Sequence, residues 1–388
     1  MLAPQLNYGD EHSCSSQDCG TTINLQHLSR ERNQMDKDNR PLSRRQYVRN
    51  CFAASCGFYA TLNMAPATSR RAFAQEKFGQ VESERPYGRI EKLADGVWAL
   101  VSTPFTKSGA AGDRTTHSNG GFIVGDEHIL AIDSYRTSAG AQFVAEACKA
   151  LTGRLPTWVV HTHFHFDHVG GTRGLMAAGA NPEIVMTQRT RELASKFYLP
   201  AKPDPKDNRF LLSGIEKWGS QWTDASKIID QNAGPIELDL GGRTVTISPM
   251  VGHTQSDLVI RDQQTNVLFG GDLIWDGIFP NLMSAEPIEW QNSIKSILAS
   301  KPSIIVPGHG SATKADSPRM TKFAGLMAEI EKSCRGSFAK GATVDEAAAS
   351  IKIPDSLGQW QYFRDGFHLI AAETWFRALS KDRQKNDQ

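Results

Sequence analysis

His163, His165, Asp167 and His168 fall within six positions of one another, directly after the apolar run Trp158-Val159-Val160. A lone histidine in a globular chain is usually a structural residue whose ring nitrogens are satisfied by neighbours. Four metal-capable side chains at the end of one apolar run call for a different explanation. Imidazole combined with carboxylate is the ligand set of zinc and similar divalent ions. Alternation along a strand puts His163 and His165 on one side of a sheet, so both rings can converge on one ion. Asp167 and His168 are neighbours that a regular strand would point apart. They share an ion only if the chain turns there, and Gly170-Gly171 followed by a helix-like segment predicts that turn.

Three further segments carry ligand chemistry downstream: Gly252-His253-Thr254, Gly270-Gly271-Asp272 and Pro307-Gly308-His309-Gly310. Each follows an apolar, strand-like run, so each belongs at a strand end, where loops gather.

These motifs, in this order, resemble those of the metallo-β-lactamase superfamily of hydrolases, over about residues 90 to 310. The resemblance implies an α/β fold, a four-layer αβ/βα sandwich of two facing sheets with helices outside and the metals at one edge. It further implies that His163, His165 and His253 bind one ion, that Asp167, His168 and His309 bind a second, and that Asp272 bridges them. Two zinc ions per chain are the expected cofactors, with iron or manganese as alternatives. A hydroxide held between the ions would attack an ester, thioester, lactone or amide carbonyl, and Asp167 would accept or relay a proton as the catalytic carboxylate. β-Lactamases of the superfamily often carry a lysine where this chain has Trp275 and a cysteine where it has Asp272. The aspartate is shared with thioesterase and lactonase branches. The pattern from His253 to Gly310 is similar to periplasmic zinc hydrolases associated with sulfur oxidation and quinoprotein pathways. The alternatives are a β-lactamase, a mononuclear iron sulfur dioxygenase, and a non-catalytic metal-dependent binding protein.

The elements that must position these residues can be read around them. Residues 90–93 and 97–101 form a hairpin turned at Asp95-Gly96, and residues 121–124 and 128–133 a second one around Gly125-Asp126. Asp133 closes the second hairpin and is placed to orient a ligand imidazole. The polar stretch 103–119 between the hairpins reads as a lid over the site, with His117, like His128, at the surface. His161 reads as a core residue or one supporting the ligands, and Trp275 and Asn281 as residues supporting the site or lining its pocket. Residues 75–89 show no strong pattern. Helices are predicted over 139–151, 168–178, 189–198 and 210–229, with Trp218 and Trp222 on the last. Strands are predicted over 183–186, 244–247, 258–260, 267–269 and 303–306. The tail, about 311–388, reads as helices over 320–333 and 360–379, with a capping box at Thr343 to Glu346.

A formal charge of +1 gives no reason to expect a polyanionic partner, so a small-molecule substrate is expected and nucleic acid is not. Four of the six cysteines precede residue 57, which leaves no disulfide framework in the folded part. Residues 1–34 are polar and aperiodic, as a disordered extension or a start assigned upstream of Met35 would be. In 35–74, Ser43-Arg44-Arg45, a mild apolar run and Ala72-Phe73-Ala74 follow one another in the order of a twin-arginine export signal. The expectation is a periplasmic protein, with a metallo-β-lactamase-fold domain over 75–388 and no stable membrane span.

Overall fold

Val97, Ala99 and Val101 alternate with Trp98 and Leu100 along β3 (Val97–Ser102), and all five are buried. A strand buried on both faces must lie between two layers. One set packs into the core between two sheets, with Ile123, Leu130, Ile132 and Val160 from one and Val245, Ile247, Leu258, Ile260 and Phe269 from the other. The other set packs outward with Phe122, Ile129 and Ala131 against a helix.

A computed structural model of the chain describes residues 77–106, 112–198 and 224–386, all within the unit Ala65–Gln388. Eight strands form the first sheet in chain order: β1 (Gln80–Arg85), β2 (Gly88–Ala94), β3, β4 (Gly120–Val124), β5 (Ile129–Ile132), β6 (Trp158–Val160), β7 (Glu183–Thr187) and β8 (Lys227–Ile229). It is antiparallel up to β5 and parallel beyond. The second sheet runs β14-β13-β12-β11-β10-β9, built from β9 (Ile236–Asp239), β10 (Thr244–Met250), β11 (Asp257–Asp262), β12 (Val267–Trp275), β13 (Ile304–His309) and β14 (Thr313–Lys314).

Helices cover both outer faces. On the first sheet lies α1 (Ser138–Thr152), capped by the Thr137 hydroxyl and ended by Gly153 in the left-handed region. The short α2 (Phe166–Val169) and α3 (Thr172–Ala177) follow β6, and α4 (Gln188–Tyr198) follows β7. On the second sheet, α5 (Pro287–Ala299), α6 (Pro318–Ala339) and α8 (Phe367–Asn386) bury Trp290, Ile294, Met320, Phe323 and Trp375 in one cluster. Between α6 and α8 lies α7 (Val344–Ser350), opened by the predicted capping box: Thr343 and Glu346 each accept from the other's backbone N–H. The four-layer sandwich is therefore as the motifs imply. Among the described residues no helix is long and apolar enough to cross a membrane.

Several elements depart from the sequence reading. Residues 80–85, expected to be a patternless arm, form edge strand β1. Its side chains are largely exposed, and what holds it is the backbone ladder to β2 together with Glu91, which accepts from the N–H groups of Phe78 and Gly79. Lys227–Ile229 is a strand beside β7 and not the end of a helix; the remainder of the predicted 210–229 helix, with Trp218 and Trp222, lies outside the described residues apart from 224–226. Helix α5 was not anticipated. Finally, the last helix starts at Phe367, not at Trp360. Residues 360–363 pair in part with the loop after β12 through Phe279 N–H to Gln361 O and Gln361 N–H to Gly277 O.

Candidate metal centre

The carboxyl ends of β5, β6, β10 and β13, and the middle of β12, meet at one edge of the sandwich. Parallel β5 and β6 deliver Asp133 and the segment His161 to His165 side by side. The parallel pair β12 and β13 does the same for Asp272 and His309. Gly308 leaves room for this: a Cβ there would collide with Asp272 Oδ1.

His163, His165, His253 and Asp272 form one group, Asp167, His168 and His309 another, and the ligand atoms of each lie within 4.8 Å of one another. In the first, His165 Nδ1 stands 3.1 Å from His163 Nε2 and 2.8 Å from His253 Nε2. Asp272 Oδ2 is 3.1 Å from His253 Nε2 and 3.9 Å from His163 Nε2. In the second, Asp167 Oδ2 is 3.4 Å from His309 Nε2 and 3.9 Å from His168 Nε2. Asp272 belongs to both: its Oδ1 approaches His168 Nε2 to 3.1 Å and its Oδ2 approaches His309 Nε2 to 3.4 Å.

The donor set fits divalent ions. Tetrahedral bonds of about 2.0–2.1 Å set ligand atoms about 3.3–3.4 Å apart, within the spread of these separations. His168 Nε2 and Asp272 Oδ1 are buried and close, yet neither has a hydrogen-bond partner among the described residues. An atom pair in that state is suited to a shared cation.

Charge points the same way. Burial would raise the Asp272 carboxyl, but His309, His168 and His253 together hold it well below the usual carboxylate range. Burial opposes ionisation of Asp167 too, and His168 and His309 outweigh it. Two ionised carboxylates in a buried site demand positive charge beside them. His168 and His309 feel this demand: burial pushes both down, but Asp272 and its companion carboxylates win, raising His168 strongly and His309 to about 9. Burial keeps His163 and His165 neutral, the latter pushed down to about 3, which is the form in which imidazole binds a metal.

The supporting residues are specific. Asp133, with its backbone at φ 59°, accepts from Thr162 N–H at 2.8 Å through Oδ1 and faces His168 Nδ1 at 2.7 Å through Oδ2. This fixes His168 as the tautomer whose Nε2 is free to ligate. Thr162 Oγ1 lies 3.0 Å from His163 Nδ1. Trp275 is fully buried under the site, its ring 4.1 Å from that of His309 and its N–H donated to Asp272 O. Asn281 does not reach the ligands. Its side-chain oxygen accepts from Met283 N–H and shapes the loop carrying Ser284, whose hydroxyl lies 3.1 Å from His165 Nε2. His161 stays out of the ligand set and meets the Thr172 hydroxyl.

His117 is the clearest correction. Expected at the surface, it is 7 % exposed and sits in the site, its Nε2 4.0 Å from Asp167 Oδ2 and its carbonyl 3.2 Å from His309 Nδ1. The end of the 103–119 stretch is likewise no lid, since Thr116, Ser118 and Asn119 are buried. Asn119 explains why: its amide donates to Pro307 O and Gly310 O, and its oxygen accepts from Ser102 N–H. That clamp ties the His309 turn to β3 and draws the stretch between the sheets. Residues 107–111 lie outside the described residues. Sequence reasoning also missed Asp257, which accepts from the N–H and hydroxyl of Thr254 and so pins the loop carrying His253. Burial pushes its carboxyl up to about 7.

Residues 114–309, just over half the chain, match the family model described as the metallo-beta-lactamase superfamily, and the chain belongs to that superfamily. It is 26 % identical over 137 residues to acyl-coenzyme A thioesterase MBLAC2 of Gallus gallus, covering 32 % of this chain and 44 % of that protein. The thioesterase of the same name from Homo sapiens is 26 % identical over 208 residues, 48 % of this chain and 66 % of the relative. The chain thus spans less than two thirds of the length of either. A metallo-beta-lactamase type 2 of Bacillus sp. (strain 170) is 25 % identical over 244 residues, 61 % of this chain and 82 % of that one.

A substitution that keeps shape but reverses one hydrogen bond tests the role of Asp133. Asparagine tolerates the left-handed backbone, and its oxygen can still accept from Thr162 N–H. Its amide group then faces His168 Nδ1 as a donor, which moves the imidazole proton to Nε2. Asp133→Asn is expected to weaken zinc binding about 10- to 100-fold in a chelator competition. Unchanged affinity would show that His168 needs no such partner.

Proposed function

We propose that this chain is a hydrolase that uses two zinc ions to open an ester, thioester, lactone or amide carbonyl, with acyl thioesters the first substrates to try. The observation that carries the reading is Asp272, whose two oxygens face both ligand groups at once. Bound ions would supply Lewis acidity, lowering the pKa of water from about 15.7 to about 7 and polarising a carbonyl. His163, His165 and His253 would hold the first ion, Asp167, His168 and His309 the second. Asp133 and Ser284 orient His168 and His165 from behind. Asp167, ionised because His168 and His309 outweigh its burial, would accept or relay a proton of the attacking water while staying bound to the ion.

The thioester preference is supported by the similarity to the thioesterases. A β-lactamase reading is supported by the similarity to the Bacillus enzyme, but the position where such enzymes often place a lysine is here a tryptophan fully buried under His309. A panel of thioester, ester, lactone and β-lactam substrates, run with zinc and after chelation, decides among these. Zinc-dependent thioester or ester turnover is expected; iron-dependent oxygen consumption in its place would favour the dioxygenase.

Export belongs to the same proposal. Residues 35–74 are read as a twin-arginine signal removed near Gln75, which would carry the metal-loaded protein to the periplasm. These residues lie outside the described ones. Replacing Arg44 and Arg45 together by Lys is expected to leave the precursor uncut in the cytoplasm, seen by fractionation and N-terminal sequencing. A wild-type chain that itself stays cytoplasmic and uncut would refute the signal.

A further inference from the structure

The matched family region ends at residue 309, yet a residue from well beyond it stands at the centre. The segment before α8 is held by the two backbone hydrogen bonds of Gln361. Arg114 fixes it from the other side, donating to Phe363 O at 3.1 Å while its guanidinium lies 5.6 Å from the Phe363 ring centroid. So placed, the Phe363 ring is 4.4 Å from the ring of His117 and 5.1 Å from that of His309. It also stacks on Phe105 at 5.1 Å, the planes within 10° of parallel. His309 and His117 beneath are buried, whereas Phe363 and Phe105 are only partly covered. Two phenyl rings from opposite ends of the domain thus form the outer layer over the His309 side of the ligand cluster. His165 and Phe166 are also partly exposed, and the Phe166 ring stacks on that of His117 at 6.3 Å, so two partly exposed phenyl rings, Phe363 and Phe166, lie against His117.

We propose that Phe363, paired with Phe105, is a specificity-determining wall of the site that selects substrates carrying an apolar acyl group of several carbons. The inference rests on the hydrolase reading and goes beyond it by naming the part of the substrate that is recognised. Side chains of this kind, rigid, apolar and partly exposed, gain by covering hydrocarbon and gain nothing from a short acyl group. Phe363 comes from the C-terminal extension, so the extension has a role in substrate choice in addition to packing on the second sheet.

The test compares p-nitrophenyl octanoate with p-nitrophenyl acetate on the zinc-loaded full chain. Phe363→Ala is expected to lower the octanoyl-to-acetyl ratio of kcat/KM about tenfold or more, as loss of an apolar contact does. Phe105→Ala should lower it similarly from the other side of the stack, and Phe363→Leu should retain most of it. An unchanged ratio in both alanine variants overturns the proposal. Should the wild-type protein cleave neither ester, the hydrolase reading has failed for esters, and calorimetric binding of octanoate against acetate tests the wall alone. Tighter octanoate binding that Phe363→Ala abolishes supports it; equal affinities, or a preference untouched by Phe363→Ala, overturn it.

Discussion

Asp272→Ala is expected to remove bound metal and turnover together. The side chain is 3 % exposed and faces His253, His168 and His309, so its loss opens both ligand groups at once. Metal ions contribute several kcal/mol of transition-state stabilisation, and at 1.36 kcal/mol per decade the expected fall in kcat/KM is about 10³-fold or more. Metal content measured on the same sample should drop below that of the wild type. A variant that keeps full metal and full activity would remove Asp272 from the site's chemistry. Circular dichroism separates loss of metal and turnover from misfolding, because the inter-sheet core around Val306 and Phe269 does not include Asp272.

Asp167→Asn is expected to act on turnover more than on metal. The amide keeps the shape and one oxygen, so the first group of ligands is left whole and the second retains His168 and His309. What is lost is the negative Oδ2 that faces His309, His168 and His117, and with it the proposed proton acceptor. Loss of a positioned general base costs about 10²- to 10⁴-fold in rate. The expected signature is a fall of that order in kcat with at least one zinc retained per chain. A kcat within a few-fold of wild type would assign Asp167 a structural part only.

The convergence of the candidate ligands was legible in the sequence because each of them follows a strand signal, and strand ends of an α/β sandwich converge by topology. Trp158-Val159-Val160 before the histidines and Ile304-Ile305-Val306 before His309 are such signals, and the structure brings together all seven side chains they and their companions announce. Asp133 was legible for the same reason. His117, Ser118 and Asn119 were not, since nothing in a polar stretch tells a solvated loop from one wedged between sheets. Their burial follows from the Asn119 hydrogen bonds to Pro307 and Gly310, partners about 190 positions away. Strand β1 escaped because an edge strand held by backbone hydrogen bonds carries little hydrophobic pattern. Helix α5 did carry one: Trp290, Ile294 and Ile297 recur at helical spacing and are buried. Phe363 escaped because the helical periodicity of the tail was extended across Asp365-Gly366, a turn signal that ends it.

Metal analysis of the purified chain tests the central claim most directly. Two zinc ions per chain are predicted, with activity lost when chelation strips them and restored when zinc is returned. A protein that holds no metal under any loading condition, or that works undiminished after exhaustive chelation, would contradict the assignment of these seven side chains to a two-ion centre.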